Sequence, residues 1–301
     1  AKQNISDLLG AFESAVVGQS GACRTLAATL WHHLQHRGGD GYQAPRVLLV
    51  GPRGCGKTTI ARTLCAAAKL PAYHADASKM SETGYIGENV ENVVGALLHR
   101  AGNAEDTRTG ILVLDGLQHI VRQTPQPGGR DVAGREVQRD LVRLLDGMEI
   151  TAVPHGPRHP QALYGVVKAD QILVVGIVTF DFCADDEVAL RAGLVERGLV
   201  DEMLSRFDII LPLRPLDAED LEKIGMNFLG PIRKVIEPLG CTLVDQGGMA
   251  ILAERAAASG DGAFALRSPL GQLRERATLE RPRAWVLDSA LAAELCRTRP
   301  T

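Results

Sequence analysis

Residues 46–59 read RVLLVGPRGCGKTT, and the reading of the whole chain starts from them. An apolar run from Val47 to Val50 stops at a glycine. Gly51 to Thr58 then spells G-x-x-x-x-G-K-T, and the helical pattern TTIARTLCAAAKL follows. Strand, glycine-rich loop and helix in that order are the context in which this spacing holds phosphate. Gly51, Gly54 and Gly56 let the backbone curl so that successive N–H groups converge on phosphate oxygens, and the helix N-terminus adds a favourable dipole. Pro52, Arg53, Cys55 and Thr59 complete the loop and its exit. Lys57 is expected to reach the terminal phosphates and the Thr58 hydroxyl to sit on a magnesium ion. The pattern speaks for nucleotide binding and is silent on hydrolysis.

Upstream, ISDLLGAFE (5–13) makes a short amphipathic helix, and GACRTLAATLWHHLQH (21–36) a longer one. In the latter Cys23, Leu26, Ala27, Leu30, Trp31 and Leu34 recur at helical spacing and are expected on one inward face. His32, His33 and His36 are core or surface residues on this reading. Downstream, AYHADA (72–77) reads as a half-buried strand. Gly84-Tyr85-Ile86-Gly87 cannot be stable helix interior; it either tucks Tyr85 into a core edge or presents it on a substrate-gripping loop. GILVLD (110–115) is a strand buried on both faces. Its terminal carboxylate, Asp115, stands where open α/β sheets bind ligands, opposite Thr58 as the second magnesium partner. GREVQRDLVRLLDGM is an amphipathic helix with Val137, Leu141, Leu144 and Leu145 facing inward. A strand, a loop carrying Arg158 and His159, and a return strand follow. QILVVGIVTF is another central strand, ending near Thr179, whose hydroxyl could sense the terminal phosphate or its attacking water. IILPL (209–213) is the fifth strand. Five strands alternating with helices predict one α/β domain of parallel sheet, residues 1–214. From Asp217 the pattern is mostly helical, which predicts a small helical domain, residues 215–301, able to rotate beside the first.

The 301 residues are 45% apolar with a net charge of −3, enough for a real core and without bias toward nucleic acid or anionic membrane. No signal peptide and no run of eighteen apolar residues appears. The six cysteines are scattered, as small hydrophobes in a reducing compartment would be. A cytoplasmic location is therefore expected. Cys55, beside a lysine and a helix start, is either a plain loop residue or a redox-prone thiol. The eight histidines show no metal-binding spacing.

Taken together, the glycine loop, the strand-end aspartate and the two-domain layout resemble the AAA+ ATPases, and within them most of all the ClpX group of Clp-type protein unfoldases. Val16-Val17-Gly18-Gln19 is similar to the family's segment that cradles adenine. GPRGCGKT resembles its Walker A, ADASKMSETGYIGENVEN the stretch holding its first pore loop, and GILVLDGLQHI its Walker B strand. GGRDVAGREVQ and PHGPRHPQ resemble loops at the pore entrance. LVDEMLSRFDIILPL resembles the segment whose arginine, here Arg206, reaches the neighbouring subunit's terminal phosphate, and GAFALRS the second sensor, whose arginine would be Arg267. The resemblance implies a three-layer P-loop NTPase domain with a helical lid and ATP/ADP and Mg²⁺ as cofactors. It also implies a homo-oligomeric ring, hexameric by analogy, with Tyr85 and Ile86 gripping a protein substrate in its channel and Arg158 and His159 at the entrance.

Departures from that pattern matter as much. The family's Walker B ends in aspartate-glutamate, whereas here Asp115 is followed by Gly116. The missing glutamate orients and deprotonates the attacking water, and losing one general base typically costs ~10²–10⁴ in rate. Gln118 and His119 are nearby without inheriting its geometry. Slow turnover with intact ATP binding is expected, and Gly116→Glu should raise the rate if the rest of the site is intact. Between Phe180 and Leu199 the chain is too short for the family's protease-docking loop, so docking on ClpP is not expected. No cysteine-rich zinc module precedes residue 14. Phe264 stands where the family has a further arginine. The alternatives are a nucleotide-gated scaffold or remodeller, alone or in a mixed ring with an active paralogue, and a fully active unfoldase. A nucleic-acid motor finds no coherent basic track.

Overall fold

The computed structural model describes residues 4–80, 89–120, 132–152, 165–181, 186–280 and 284–296. Tyr85, Ile86, Arg158 and His159 lie outside them. Two compact units are present. The first comprises Ala1–Val16, Ser20–Gly51 and Lys57–Leu213, the second Val17–Gln19, Pro52–Gly56 and Arg214–Thr301.

In chain order the first unit contains α1 (Ile5–Ala15), α2 (Ser20–His36), β1 (Arg46–Gly51), α3 (Lys57–Ala68), β2 (Ala72–Asp76), α4 (Val90–Ala101), α5 (Ala104–Arg108) and β3 (Ile111–Asp115). It continues with α6 (Val132–Leu145), the antiparallel pair β4 (Glu149–Ala152) and β5 (Gly165–Lys168), β6 (Leu173–Thr179), α7 (Glu187–Glu196), α8 (Asp201–Leu204) and β7 (Ile209–Pro212). Five of the strands form one parallel sheet in the order β2–β3–β6–β1–β7. This is the α/β P-loop NTPase architecture. Its central strands are apolar throughout because both faces are covered. Leu48, Val50, Leu112, Leu114 and Val174 join a core with α4 and α6, while the alternate residues Val47, Leu49, Val113 and Val175 are equally buried on the other face.

A charged residue is built into this core. Arg46, at the head of β1, is 4% exposed. Its guanidinium donates to five carbonyls, those of Leu145 (3.2 Å), Ile172 (3.0 Å), Ala169 (3.0 Å), Asp170 (3.5 Å) and Ala44. It thereby ties the start of the sheet to the end of α6 and to the turn that leads into β6.

In α2 the expected inward face is corrected at one position. Cys23, Leu26, Ala27 and Leu30 are buried, but Trp31 is 36% exposed, and His33 is fully buried instead. Its Nε2 donates to the Thr109 carbonyl at 3.2 Å, since a carbonyl only accepts, and its Nδ1 then accepts from the Tyr42 hydroxyl at 3.2 Å. A histidine can replace an apolar residue there because both ring nitrogens are satisfied.

The second unit holds α9 (Ala218–Ile236), β8 (Thr242–Asp245), α10 (Gly248–Ser259), α11 (Arg267–Glu280), β9 (Ala284–Leu287) and α12 (Ser289–Leu295). Asp217 and Asp288 cap α9 and α12 with side-chain oxygens. Leu221, Leu229, Met249, Leu273, Trp285 and Leu287 lie in its core. The unit is not purely helical. Residues 284–287 form β9 and pair in parallel with β8.

Candidate functional site

The parallel register brings the C-terminal ends of four strands level. Gly51 of β1 lies opposite Thr179 of β6, and Asp115 of β3 opposite both Asp76 of β2 and Ile177 of β6. In an open α/β sheet this edge is where ligands bind. The chain leaves β1 at Gly51 and re-enters helix at Lys57, so the N-terminus of α3 is delivered to the same edge.

Lys57 is buried, and its Nζ donates to the Gly51 carbonyl at 2.8 Å. The Thr58 hydroxyl donates to Asp115 Oδ2 at 3.0 Å, so the two expected magnesium partners do meet. His74 of β2 reaches the same oxygen through Nε2 at 3.1 Å. Burial raises the Asp115 carboxyl, but hydrogen bonds from His74 and Thr58, with the charges of His74 and Lys57, outweigh it and hold the group below the usual carboxylate range. A hydroxyl and an ionised carboxylate side by side are hard oxygen donors of the kind Mg²⁺ takes, few in number because the phosphates supply the rest. The residues fit that ion.

Thr179 ends β6 with its backbone N–H donating to Gln118 Oε1 at 3.0 Å. Gln118 is therefore occupied in holding the end of β6. Gly116 follows Asp115 in the left-handed region at φ 85°. A Cβ built there would lie 3.0 Å from His119 Cδ2 and 3.8 Å from Gln118 Nε2. The imidazole of His119 thus stands in tight contact with the place where a side chain at 116 would begin. A glutamate placed at 116 therefore meets two local obstacles: a non-glycine residue in this conformation costs ~1–3 kcal/mol, and His119 has to give by a few tenths of an ångström.

Within the second unit, the tip of the glycine loop packs on the turn 261–266. Gly54, at φ 70°, would press a Cβ to 2.1 Å from the Asp261 carbonyl, and the Ala263 N–H donates to the Gly54 carbonyl at 3.2 Å. Only glycine allows the two backbones to come this close. Arg53 and Arg267 flank the Phe264 ring, with guanidinium carbons 5.2 Å and 4.4 Å from its centroid. The Phe264 ring is thus a partner for two cations. Gln19 Nε2 donates to the carbonyls of Cys55 (3.1 Å) and Arg214 (2.8 Å). Cys55 is 1% exposed, which leaves its thiol out of reach of an oxidant in solution. Val17 is half-buried in the same unit, while Val16 closes α1 in the first, donating its N–H to the Phe12 carbonyl at 2.8 Å. Pro52 is buried in the loop, and Thr59 is exposed on α3.

Arg206 is held elsewhere. Its Nε donates to Asp146 Oδ1 at 2.9 Å and its Nη1 to Ser205 Oγ at 2.9 Å, and no contact described for it involves Lys57, Thr58, Asp115 or Thr179. Its pairing with Asp146 raises its pKa.

His74 escaped the sequence reading because its partner lies on another strand. Once β2 and β3 are paired, period-two alternation puts His74, Asp76, Val113 and Asp115 on one face. Gln118 was noticed only as a neighbour of Asp115.

Residues 47–197 match the family described as "ATPase family associated with various cellular activities (AAA)". Among curated relatives, the chain is 31% identical to the ATP-dependent Clp protease ATP-binding subunit ClpX of Porphyromonas gingivalis in each of two strains, over 75% of this chain and 64% of the relative. The protein of the same name from Treponema denticola is 27% identical over 89% of this chain and 74% of its own length. The chain thus spans less than two thirds of the P. gingivalis relatives. Among the described residues, no helix is long and apolar enough to cross a membrane. Since the family match takes in half of the chain and every strand of the central sheet except β7, this chain belongs to the AAA ATPases, whose domain carries the capacity to bind ATP with Mg²⁺.

Proposed function

We propose that this chain is an ATP-binding subunit of a ClpX-like ring with weak hydrolysis of its own, acting as a nucleotide-gated scaffold or remodeller of a protein partner. The observation that carries the reading is Gly116. It follows Asp115 at φ 85° beneath the His119 ring and has no carboxylate to take a proton from an attacking water. Lys57, Thr58 and Asp115 hold the triphosphate and its Mg²⁺, which when bound withdraws charge from the terminal phosphate. Thr179, its backbone fixed by Gln118, presents a hydroxyl at the end of β6. Arg267 neutralises phosphate from residues 215–301, acting as a lid to the nucleotide-binding domain 1–214. Arg206 does so in the neighbouring subunit after leaving Asp146. Val16 and Val17 face the adenine. Tyr85, Ile86, Arg158 and His159 line the channel of a homohexamer, or of a mixed ring with an active paralogue. The partner is a protein; nucleic acid, membrane and ClpP are not expected. The competing reading, a fully active unfoldase, is favoured by Tyr85 and Ile86 between glycines.

Binding of a fluorescent ATP analogue with Mg²⁺, steady-state hydrolysis and the mass of the ATP-bound assembly test this together. Lys57→Ala should weaken nucleotide binding by about 10–100-fold, the equivalent of ~1.5–3 kcal/mol for a charge-assisted contact. Unchanged affinity would place the nucleotide elsewhere. Brisk hydrolysis that disappears in Lys57→Ala would select the unfoldase, and a strictly monomeric ATP complex would remove the ring. Gly116→Glu should lower the melting temperature, and should raise hydrolysis if the rest of the site is intact. A large rise in rate, in the range of 10²–10⁴ expected of a restored base, would show that residue 116 and His119 rearrange freely.

A further inference from the structure

Two donors converge on one oxygen of Asp115. Thr58 has a hydroxyl to spare for this because it is the residue next to the phosphate-loop lysine. His74 does not belong to the loop at all. It comes from the edge strand β2, with its backbone opposite Val113 and its ring leaning along the strand toward Asp115. A carboxylate only accepts hydrogen bonds when ionised, so Nε2 carries the proton and the contact is a donation. The side chains of His74 and Asp115 are both partly buried, at 31% and 27% exposed, so the bond is only partly screened by water.

A carboxylate on a short side chain at a strand end has two torsions to lose before it can receive a cation. Carboxylates that ligate metals are commonly fixed by outer hydrogen bonds for this reason, and loss of such a partner typically costs 10–100-fold in metal affinity. Once Thr58 has turned its oxygen to an ion, its single proton is the only donation it can still make to Asp115, and one bond leaves the carboxylate free to pivot about it. A second donor on the same oxygen removes that pivot.

We propose that His74 is a positioning residue that orients Asp115 for the divalent cation carried by a nucleoside triphosphate, so that this chain's metal-nucleotide affinity depends on an edge-strand imidazole. The inference rests on the magnesium-nucleotide reading above. His74→Phe keeps an aromatic strand residue without a donor. His74→Gln keeps an N–H at similar reach, and His74→Asn has a similar amide on a stem one carbon shorter.

The readout is equilibrium binding of a fluorescent ATP analogue titrated with MgCl₂, beside the same binding in EDTA and Mn²⁺ affinity by electron paramagnetic resonance. In the phenylalanine and asparagine variants the half-saturating metal concentration should rise about 10–100-fold, with metal-free nucleotide affinity unchanged and most of the loss recovered by glutamine. A structural role alone would move nucleotide affinity and melting temperature without this split. Equal metal dependence in wild type and His74→Asn overturns the proposal while leaving the nucleotide site standing. Should phenylalanine fail to fold, the glutamine and asparagine pair still decides, and a glutamine variant as poor as asparagine also overturns it. Wild-type binding indifferent to Mg²⁺ would bring down the metal site and this inference together, whereas Lys57→Ala tests the phosphate loop alone.

Discussion

Exchange of Arg46 for leucine should destabilise the α/β unit by about 3–5 kcal/mol, the sum expected when several buried carbonyls lose a donor at ~1–3 kcal/mol each. The guanidinium is the hydrogen-bond partner of five carbonyl groups around the head of β1. Leucine fills part of the volume but donates to none of them; the Asp170 and Ala169 carbonyls keep the backbone N–H groups of Ala44 and Ile172, so the desolvation cost falls mainly on the carbonyls of Leu145, Ile172 and Ala44. Burial pulls the arginine's pKa down, while the charges of Asp208, Asp170 and Asp146 oppose this, and the group stays cationic. Asp170 retains Arg108, bonded through Nε and Nη2 at 2.8 Å each, and Lys168 at 3.1 Å, so the carbonyls bear most of the damage. Arg46→Lys should recover only part, because three donors on a point-like ammonium cannot cover a fork of five. Urea unfolding followed by circular dichroism measures this. A loss below ~1 kcal/mol for the leucine variant, no more than one ordinary hydrogen bond, would mean that water reaches the carbonyls.

The second large effect is a loss of stability in mild acid that originates at His33. Burial lowers its pKa from 6.5 to about 4, helped by the charges of Arg37 and Arg46 and opposed by the hydrogen bond to Thr109. A folded-state pKa below the unfolded one means that the unfolded chain binds the extra proton throughout the interval. Stability is therefore complete above about pH 6.5 and falls as pH drops toward about 4. The full difference corresponds to about 3 kcal/mol. His33→Gln should be less stable near neutrality, because its amide fits the two partners poorly, but should lose much less on acidification. The measurement is the gap between wild-type and variant urea midpoints at pH 7.5 and pH 4.5. Parallel losses in both proteins would show that His33 is not the group that titrates. Asp115, Asp170 and Asp76, all depressed below ordinary carboxylates, also lose their contributions, but as pH falls through their lower folded-state values.

Local pattern carried much of this structure. The central strands β1 and β3 are apolar runs bounded by glycine or aspartate, and the phosphate loop announces its own turn, helix and cation. Asp115 could be placed opposite Thr58 because a strand-end carboxylate in such a sheet has few other destinations. Contacts that depend on register could not be placed in this way. His74 and Asp115 are forty-one residues apart and Gln118 and Thr179 sixty-one, so nothing local marks them as partners. Arg46 before an apolar strand looks like an ordinary surface charge until the turn 169–172 folds over it. Trp31 lies outward against expectation, and the burial of His33 was not decided by the pattern, because helical spacing takes no account of the partners that Thr109 and Tyr42 offer. Residues 284–287 alternate exposed and buried as a strand does, yet the partner that makes them one lies some forty residues earlier.

That last pairing bears on how the protein is made. In the second unit, Leu243 lies level with Trp285 and Asp245 with Leu287, while Gln19 and the loop tip contribute from far upstream. A polypeptide leaving the ribosome at residue 280 would carry β8 with an unpaired edge and a core without its tryptophan. The helices made by then have to wait as a loose, sticky collapse until some fifteen further residues emerge. Chaperone binding to arrested nascent chains should therefore persist through α11 and end abruptly after β9.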